Sequence, residues 1–184
     1  MPVGQTGTDP GLHHNMTMNP LPTPRLPLHP PTTFTTRLAK ATPRDISALA
    51  ELFDAYRQFY DQAPNRALAE QFITDRLQNA ESVILVAEDA LHTMTGFCQL
   101  YPTFCSVEAA PIYSLYDLFV VPEHRKTGTG RLLLQAAEEH AQRSGKARMD
   151  LTTAKTNLPA QALYTSMGWK RDEVFYAYSK SIAA

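Results

Sequence analysis

The chain has 184 residues, 43% apolar and 19% charged, with 17 Lys plus Arg against 18 Asp plus Glu. One well-buried domain is the expected size class, and a near-neutral balance excludes a global field that would gather nucleic acid or an anionic membrane surface. Phosphate recognition, if present, must be local. Cys98 and Cys105 have neither a C-x-x-C spacing nor a neighbouring His pair, which argues against a metal site and a disulfide framework and for a reducing compartment. No apolar run reaches the roughly 20 residues of a membrane span, and the N-terminus lacks the charged and apolar regions of a secretory signal. A cytoplasmic protein is expected.

Residues 1–33 carry eight of the fourteen prolines, few charges and no apolar period. Such a segment cannot bury enough surface to offset its ordering entropy and is expected to be a disordered extension. His13, His14 and His29 lie in it and read as solvated tail residues. The folded domain is expected over 34–184. Thr35 to Ala39 alternates as a first strand. Thr42, Pro43 and Asp45 then supply a cap, an N1 proline and an acidic first turn, so a helix is expected over 43–60. Its apolar positions Ile46, Leu49, Leu52, Phe53, Tyr56 and Tyr60 recur at three and four. A second helix over 67–80 follows, then a hairpin of SVILVAED and TGFCQLYPTFCSV. IYSLYDLFVV, 112–121, is the most hydrophobic strand. A glycine turn, a long helix, a strand near ARMDLTT, a short helix from Asn157 to about Met167 and a last strand or hairpin in KRDEVFYAYSKSI complete a mixed α/β domain with a central mixed sheet flanked by helices.

The turn HRKTGTGR, 124–131, fails both familiar phosphate patterns. Lys126 precedes the glycines, unlike a Walker loop, and Leu133 stands where a dinucleotide loop needs its third glycine. That argues against a nucleotide-dependent phosphotransferase. A strand end, two glycines and a helix N-terminus nevertheless form a local anion site, with Arg125, Lys126 and Arg131 adding charge. An ordinary glycine turn with a solvated basic cap is the competing reading.

Arg125-Lys126-Thr127-Gly128-Thr129-Gly130 matches the pattern Arg/Gln-x-x-Gly-x-Gly/Ala. Asn157, Ala160, Leu163, Tyr164, Gly168 and Trp169 form a second block about 27 residues later. In that order the two blocks resemble the GNAT superfamily of N-acetyltransferases over about residues 35–180. Within it, the Asp117-Leu118-Phe119-Val120 strand and the Tyr56 to Tyr60 segment look like those of small histone and polyamine acetyltransferases. Tyr116 departs from the acidic residue some polyamine enzymes carry there, which argues against strict polyamine specificity.

The resemblance implies the GNAT fold, acetyl-CoA as cosubstrate and direct attack of a primary amine on the thioester in a ternary complex, without metal. It implies that the backbone of Lys126 to Arg131 holds the pyrophosphate, that Leu118, Phe119 and Val120 pair their main chain with the pantetheine arm, and that Asn157 contacts the cofactor. Asn157 is also a good cap with Pro159 just inside the helix, and Tyr164 alone reads as core. The resemblance makes Tyr164 the proton donor to the departing thiolate, with the Val120 N–H meeting the oxyanion.

An alkylamine with pKa about 10.4 is neutral in roughly one molecule per thousand near pH 7.4, so a group that removes its proton is required. Asp117, a carboxylate in an apolar strand, is the leading candidate, against a structural ion pair; Glu108 is second, and Glu108 and Tyr116 are candidate acceptor contacts. Tyr56, Phe59 and Tyr60 wall the acceptor pocket or pack on the sheet, Phe59 by preference the latter. His124 reads as exposed and His140 as semi-buried. An acyl-cysteine route through Cys98 or Cys105 has no His partner and is rejected. The expected acceptor is a small amine such as a polyamine or amino-acid-like amine. The alternatives are a protein lysine or N-terminus, or a non-catalytic acyl-CoA-binding module. A homodimer through Phe175, Tyr176 and Tyr178 is expected from the resemblance.

Overall fold

The computed structural model describes residues 33–182. The expected N-terminal extension, with its three histidines, lies outside the described residues apart from its last position. The elements are β1 (Thr35–Leu38), α1 (Pro43–Phe59), α2 (Arg66–Gln78), β2 (Val83–Glu88), β3 (Met94–Cys105), β4 (Ala110–Val120), a 3-10 turn (Pro122–His124), α3 (Thr129–Arg143), β5 (Met149–Leu151) and α4 (Leu158–Ser166). The strands form one sheet in the order β1-β2-β3-β4-β5, antiparallel through β4 and parallel between β4 and β5. This is the mixed α/β architecture that the pattern of elements predicts.

Local chemistry explains the start. The Thr42 side chain accepts from the Asp45 N–H at 3.3 Å, and Pro43 occupies the first helical turn, where its missing N–H costs nothing. Asp45, buried at the same turn, takes both guanidinium nitrogens of Arg37 at 2.7 and 2.9 Å, and Arg37 also donates to Glu88 at 2.7 Å. One cation thus ties β1 to α1 and β2.

The sheet is covered on both faces, so β2 reads as an unbroken apolar run. Ile84 and Val86 pack with Leu49, Phe53, Ile73, Phe97 and Phe119 beneath α1 and α2. Leu85 and Ala87 face the other way, with Cys98, Leu100, Leu133, Leu134 and Ala137, toward α3.

Two irregularities open the sheet at one place. Gln99 pairs with Asp117, yet Leu100 pairs with Leu115, so Tyr116 is an extra residue on β4. In addition, β5 pairs only with Tyr113, Ser114 and Leu115. Beyond Leu115 the second edge of β4 therefore has no strand beside it among the described residues.

The expected last strand is absent: residues 170–182 contain no strand. Asp172 Oδ1 accepts from the N–H groups of Val174 and Phe175 at 2.7 and 2.9 Å and closes a turn there. Alternating side chains make a strand only where a neighbour supplies a ladder, and β5 offers three residues.

Candidate active site

At the turn after β4 the backbone does what the glycines suggest. Lys126 and Gly128 hold left-handed φ values of 63° and 94°. Gly128 is the N-cap of α3 and brings no capping side chain, and the first bond of the helix runs from the Leu132 N–H to the Gly128 carbonyl at 3.0 Å. The N–H groups of Thr129, Gly130 and Arg131 precede that bond and have no acceptor among the described residues. Uncapped donors at a positive dipole end make an anion site.

The side chains there brace the turn. Arg125 Nε donates to the Val120 carbonyl at 2.9 Å, and its guanidinium lies over the rings of Phe59 and Phe119, 5.3 and 5.6 Å from their centroids. Phe59 is therefore no core residue: it stands at the end of α1, 52% exposed, beneath a cation. The Thr127 hydroxyl donates to the His124 carbonyl at 2.7 Å and lies 2.9 Å from that of Thr129. Arg131 donates to Ser166 of α4 at 2.6 Å. Lys126 is exposed and makes no ion pair among the described residues.

The alternation of β4 decides which main-chain groups reach the open edge. The Val121 N–H donates to Thr95 of β3. Counting back in twos, Phe119 and Asp117 also turn their backbone toward β3, whereas Val120 and Leu118 turn theirs outward. The outward Val120 carbonyl is the one that Arg125 holds. Phe119 thus offers no main-chain group to the edge, and its ring is 6% exposed in the core.

Asp117 is 5% exposed. Burial raises its pKa to about 6, opposed by the neighbouring hydroxyl of Tyr56. A carboxyl so placed is ionised at neutral pH yet basic enough to take a proton. It forms part of the wall of a cavity of about 740 Å³, together with Phe53, Tyr56, Arg57, Tyr60, Gln62, Phe72, Tyr101, Thr103, Ser114 and Tyr116. The cavity lies between the two helices α1 and α2 and the β3–β4 pair.

The comparisons with known proteins bear on what this cleft does. The model of the Acetyltransferase (GNAT) family matches residues 47–169. The chain belongs to the GNAT family. An uncharacterized N-acetyltransferase, YhfO, of Bacillus subtilis is 44% identical over 147 residues, covering 80% of this chain and 98% of that one. A probable acetyltransferase of Haemophilus influenzae is 33% identical over 103 residues, 56% of this chain and 70% of that protein. A crystal structure of a probable acetyltransferase superposes with a TM-score of 0.73 at 33% identity, over 83% of this chain and 99% of its own. The protein is an acyltransferase, and GNAT membership implies acetyl-CoA as the acyl donor. The uncapped α3 terminus and the open edge of β4 fit a ligand with a diphosphate and an amide-bearing arm.

In this GNAT chain, Tyr164 sits on α4 against the α3 side of the core, its ring 6.0 Å from Trp169. Its hydroxyl has no hydrogen-bond partner among the described residues. Burial raises its pKa to about 12, with Tyr60 and Cys98 adding to the shift. Tyr56 is raised by burial and by Asp117, and also by Tyr60 and Tyr164, which places Asp117, Tyr56, Tyr60 and Tyr164 in one electrostatic neighbourhood. Asn157 caps α4, its side chain accepting from the Ala160 N–H at 3.4 Å. His140 is half-buried beside Tyr113, and the ring of His124 meets Phe34 edge-on at 5.4 Å. The Cys98 thiol is pushed up to about 12 by burial and stays protonated, unsuited to attack.

Glu108 is not brought to the cavity. It sits in the β3–β4 turn paired with Arg148, and the seven residue steps from Ala110 to Asp117 span roughly 24 Å of strand. Tyr116 does reach the cavity, on the bulge, its ring 5.8 Å from Tyr101. Sequence reasoning missed Phe72, Tyr101 and Gln99. Gln99 is fully buried, donates to the Tyr101 hydroxyl and leaves its Oε1 without a partner among the described residues. A buried glutamine between Cys98 and Leu100 was the one available signal, a polar residue in an apolar strand.

Proposed function

We propose that this acyltransferase moves the acetyl group of acetyl-CoA to the primary amine of a small molecule by direct attack, with Asp117 as base and Tyr164 as hydrogen donor to sulfur. One observation carries the reading: the edge of β4 left unpaired among the described residues runs from the uncapped terminus of α3 to a buried carboxyl in a cavity wall. Acetyl-CoA supplies the activated acyl group. The backbone N–H groups of Thr129 to Arg131 bind its diphosphate, and the outward backbone of Leu118 and Val120 aligns its arm. Lys126 adds charge and Arg125 fixes the Val120 carbonyl and the turn. Asn157 secures the start of α4 and so the position of Tyr164.

The chemistry then needs one proton transfer and one hydrogen bond. As the nitrogen–carbon bond forms, the amine proton passes to Asp117, and the N–H of Leu118, the outward donor next to Asp117, faces the oxygen that gains charge. As the carbon–sulfur bond breaks, its electron pair leaves on sulfur as the CoA thiolate, to which Tyr164 donates a hydrogen bond. A phenol near 12 facing a thiol near about 8.5 gives its proton uphill. Its contribution is the hydrogen bond it holds while the bond lengthens, and burial keeps it protonated throughout the working pH range.

Thiol release from acetyl-CoA over an amine panel tests this, with wild type beside Tyr164→Phe. Release by the wild type and a loss of turnover of about 100-fold in the variant, at unchanged CoA affinity, is the expected result; equal turnover removes Tyr164 from the mechanism. We also infer a homodimer seated on the exposed Phe175, Tyr176 and Tyr178. Light scattering should give twice the chain mass, reduced to one by Phe175→Asp.

A further inference from the structure

The cavity's walls say more than that an amine enters. Each side brings a pair of tyrosines. From α1 and its C-cap come Tyr56 and Tyr60, ring centroids 5.2 Å apart and edge to face. From the sheet come Tyr101 and Tyr116, 5.8 Å apart in the same arrangement. Phe53 and Phe72, stacked at 4.9 Å, also line it. Against these six rings the lining contains, among the described residues, a single carboxylate, Asp117.

The one cation of the lining among the described residues, Arg57, is held by Asp54 at 3.0 Å. Asp54 is itself occupied: it accepts from Gln58 and from the Asn65 N–H at 3.0 and 2.9 Å, and it is not part of the lining. A second or third ammonium would enter an apolar cavity with no carboxylate left to face it and a guanidinium nearby. Burying an unpaired charge is too costly for that to be the preferred acceptor. A single ammonium, by contrast, finds Asp117 and the faces of tyrosine rings, which attract cations. The remaining surface suits a flat apolar body, because ring pairs gain energy beyond their burial, and the volume is that of a small-molecule site.

We infer that the acceptor is a monocationic primary amine carried on an aromatic skeleton, an arylalkylamine, held with its nitrogen at Asp117 and its ring between the two tyrosine pairs. The inference rests on the proposed transfer reading and narrows it away from polyamines.

The test is thiol release from acetyl-CoA with 2-phenylethylamine, n-hexylamine, spermidine and a lysine peptide. 2-Phenylethylamine should exceed spermidine and the peptide at least tenfold in kcat/KM, and Tyr116→Ala should raise its KM more than that of n-hexylamine. Thr103→Asp, which adds a second carboxylate to the lining, should move the preference toward spermidine. Equal or better use of spermidine or the peptide by the wild type overturns the inference and leaves the transfer reading intact. No release with any amine counts against the transfer reading itself. Saturation-transfer NMR with CoA present then decides the cavity separately: binding of 2-phenylethylamine that spermidine does not displace upholds the assignment, and absence of binding overturns it.

Discussion

Asp117 carries opposed demands on stability and chemistry. Its folded pKa of about 6 lies above the value of 3.8 for an unperturbed aspartate. A carboxyl raised in the folded state contributes stability that is complete below the unfolded pKa and is lost as pH rises through the folded one. Ionising Asp117 therefore costs stability between about pH 4 and pH 6, by roughly 2–3 kcal/mol at the plateau above. Asp117→Asn should unfold later than wild type in urea at pH 7.5, with the advantage gone at pH 4. The same variant should lose about 100-fold in kcat/KM near neutrality. Its rate should then climb with pH toward the pKa of the amine, because only the neutral fraction reacts, whereas the wild-type acidic limb should bend near pH 6. A variant no more stable than wild type at pH 7.5 would remove the burial cost from the account.

At the scale of elements, the β4–turn–α3 unit depends on close approaches. A Cβ on Gly96 of β3 would stand 2.7 Å from the Phe119 carbonyl oxygen. That contact is with backbone, so β3 and β4 would have to part beside the edge proposed to receive the cosubstrate. Gly96→Ala should cost about 1–3 kcal/mol and raise the KM for acetyl-CoA. Gly128, at φ 94° with open space around it, pays for a side chain in backbone strain alone. Gly128→Ala should therefore cost about 1–2 kcal/mol and weaken CoA binding by shifting the Thr129 to Arg131 N–H groups. At the other edge of the sheet, Arg37→Leu leaves Asp45 and Glu88, both buried, without their shared cation. A loss of about 3 kcal/mol is expected in chemical denaturation, with kinetic constants unchanged, because neither carboxylate lies in the cavity wall.

Across the whole molecule, what the chain made legible was what is local. Thr42 and Pro43 announce α1, Asn157 and Pro159 announce α4, and the spacing from Arg125 to Gly130 marks the turn, since caps and glycine turns are written within four or five residues. What escaped depends on distant pairing. The placement of Asp117 beside Gln99 follows from a bulge that leaves Tyr116 unopposed, and no local pattern encodes a register between strands. Phe72 and Tyr101 join one wall only once α2 is laid over β3. Glu108 shows the reverse error: its charge and nearness in sequence suggested the acceptor, but a β-hairpin carries its tip away from its base. The terminal run KRDEVFYAYSKSI alternates as a strand does, yet pairing needs a neighbour that β5 is too short to provide.

The central claim is direct transfer between two substrates held together, and initial rates test it most directly. Acetyl-CoA and an accepted amine are varied against one another, and thiol release is followed. The account predicts intersecting double-reciprocal lines and no acetyl group on the protein after incubation with acetyl-CoA alone. Parallel lines, with an acetylated side chain found by mass spectrometry, would contradict it.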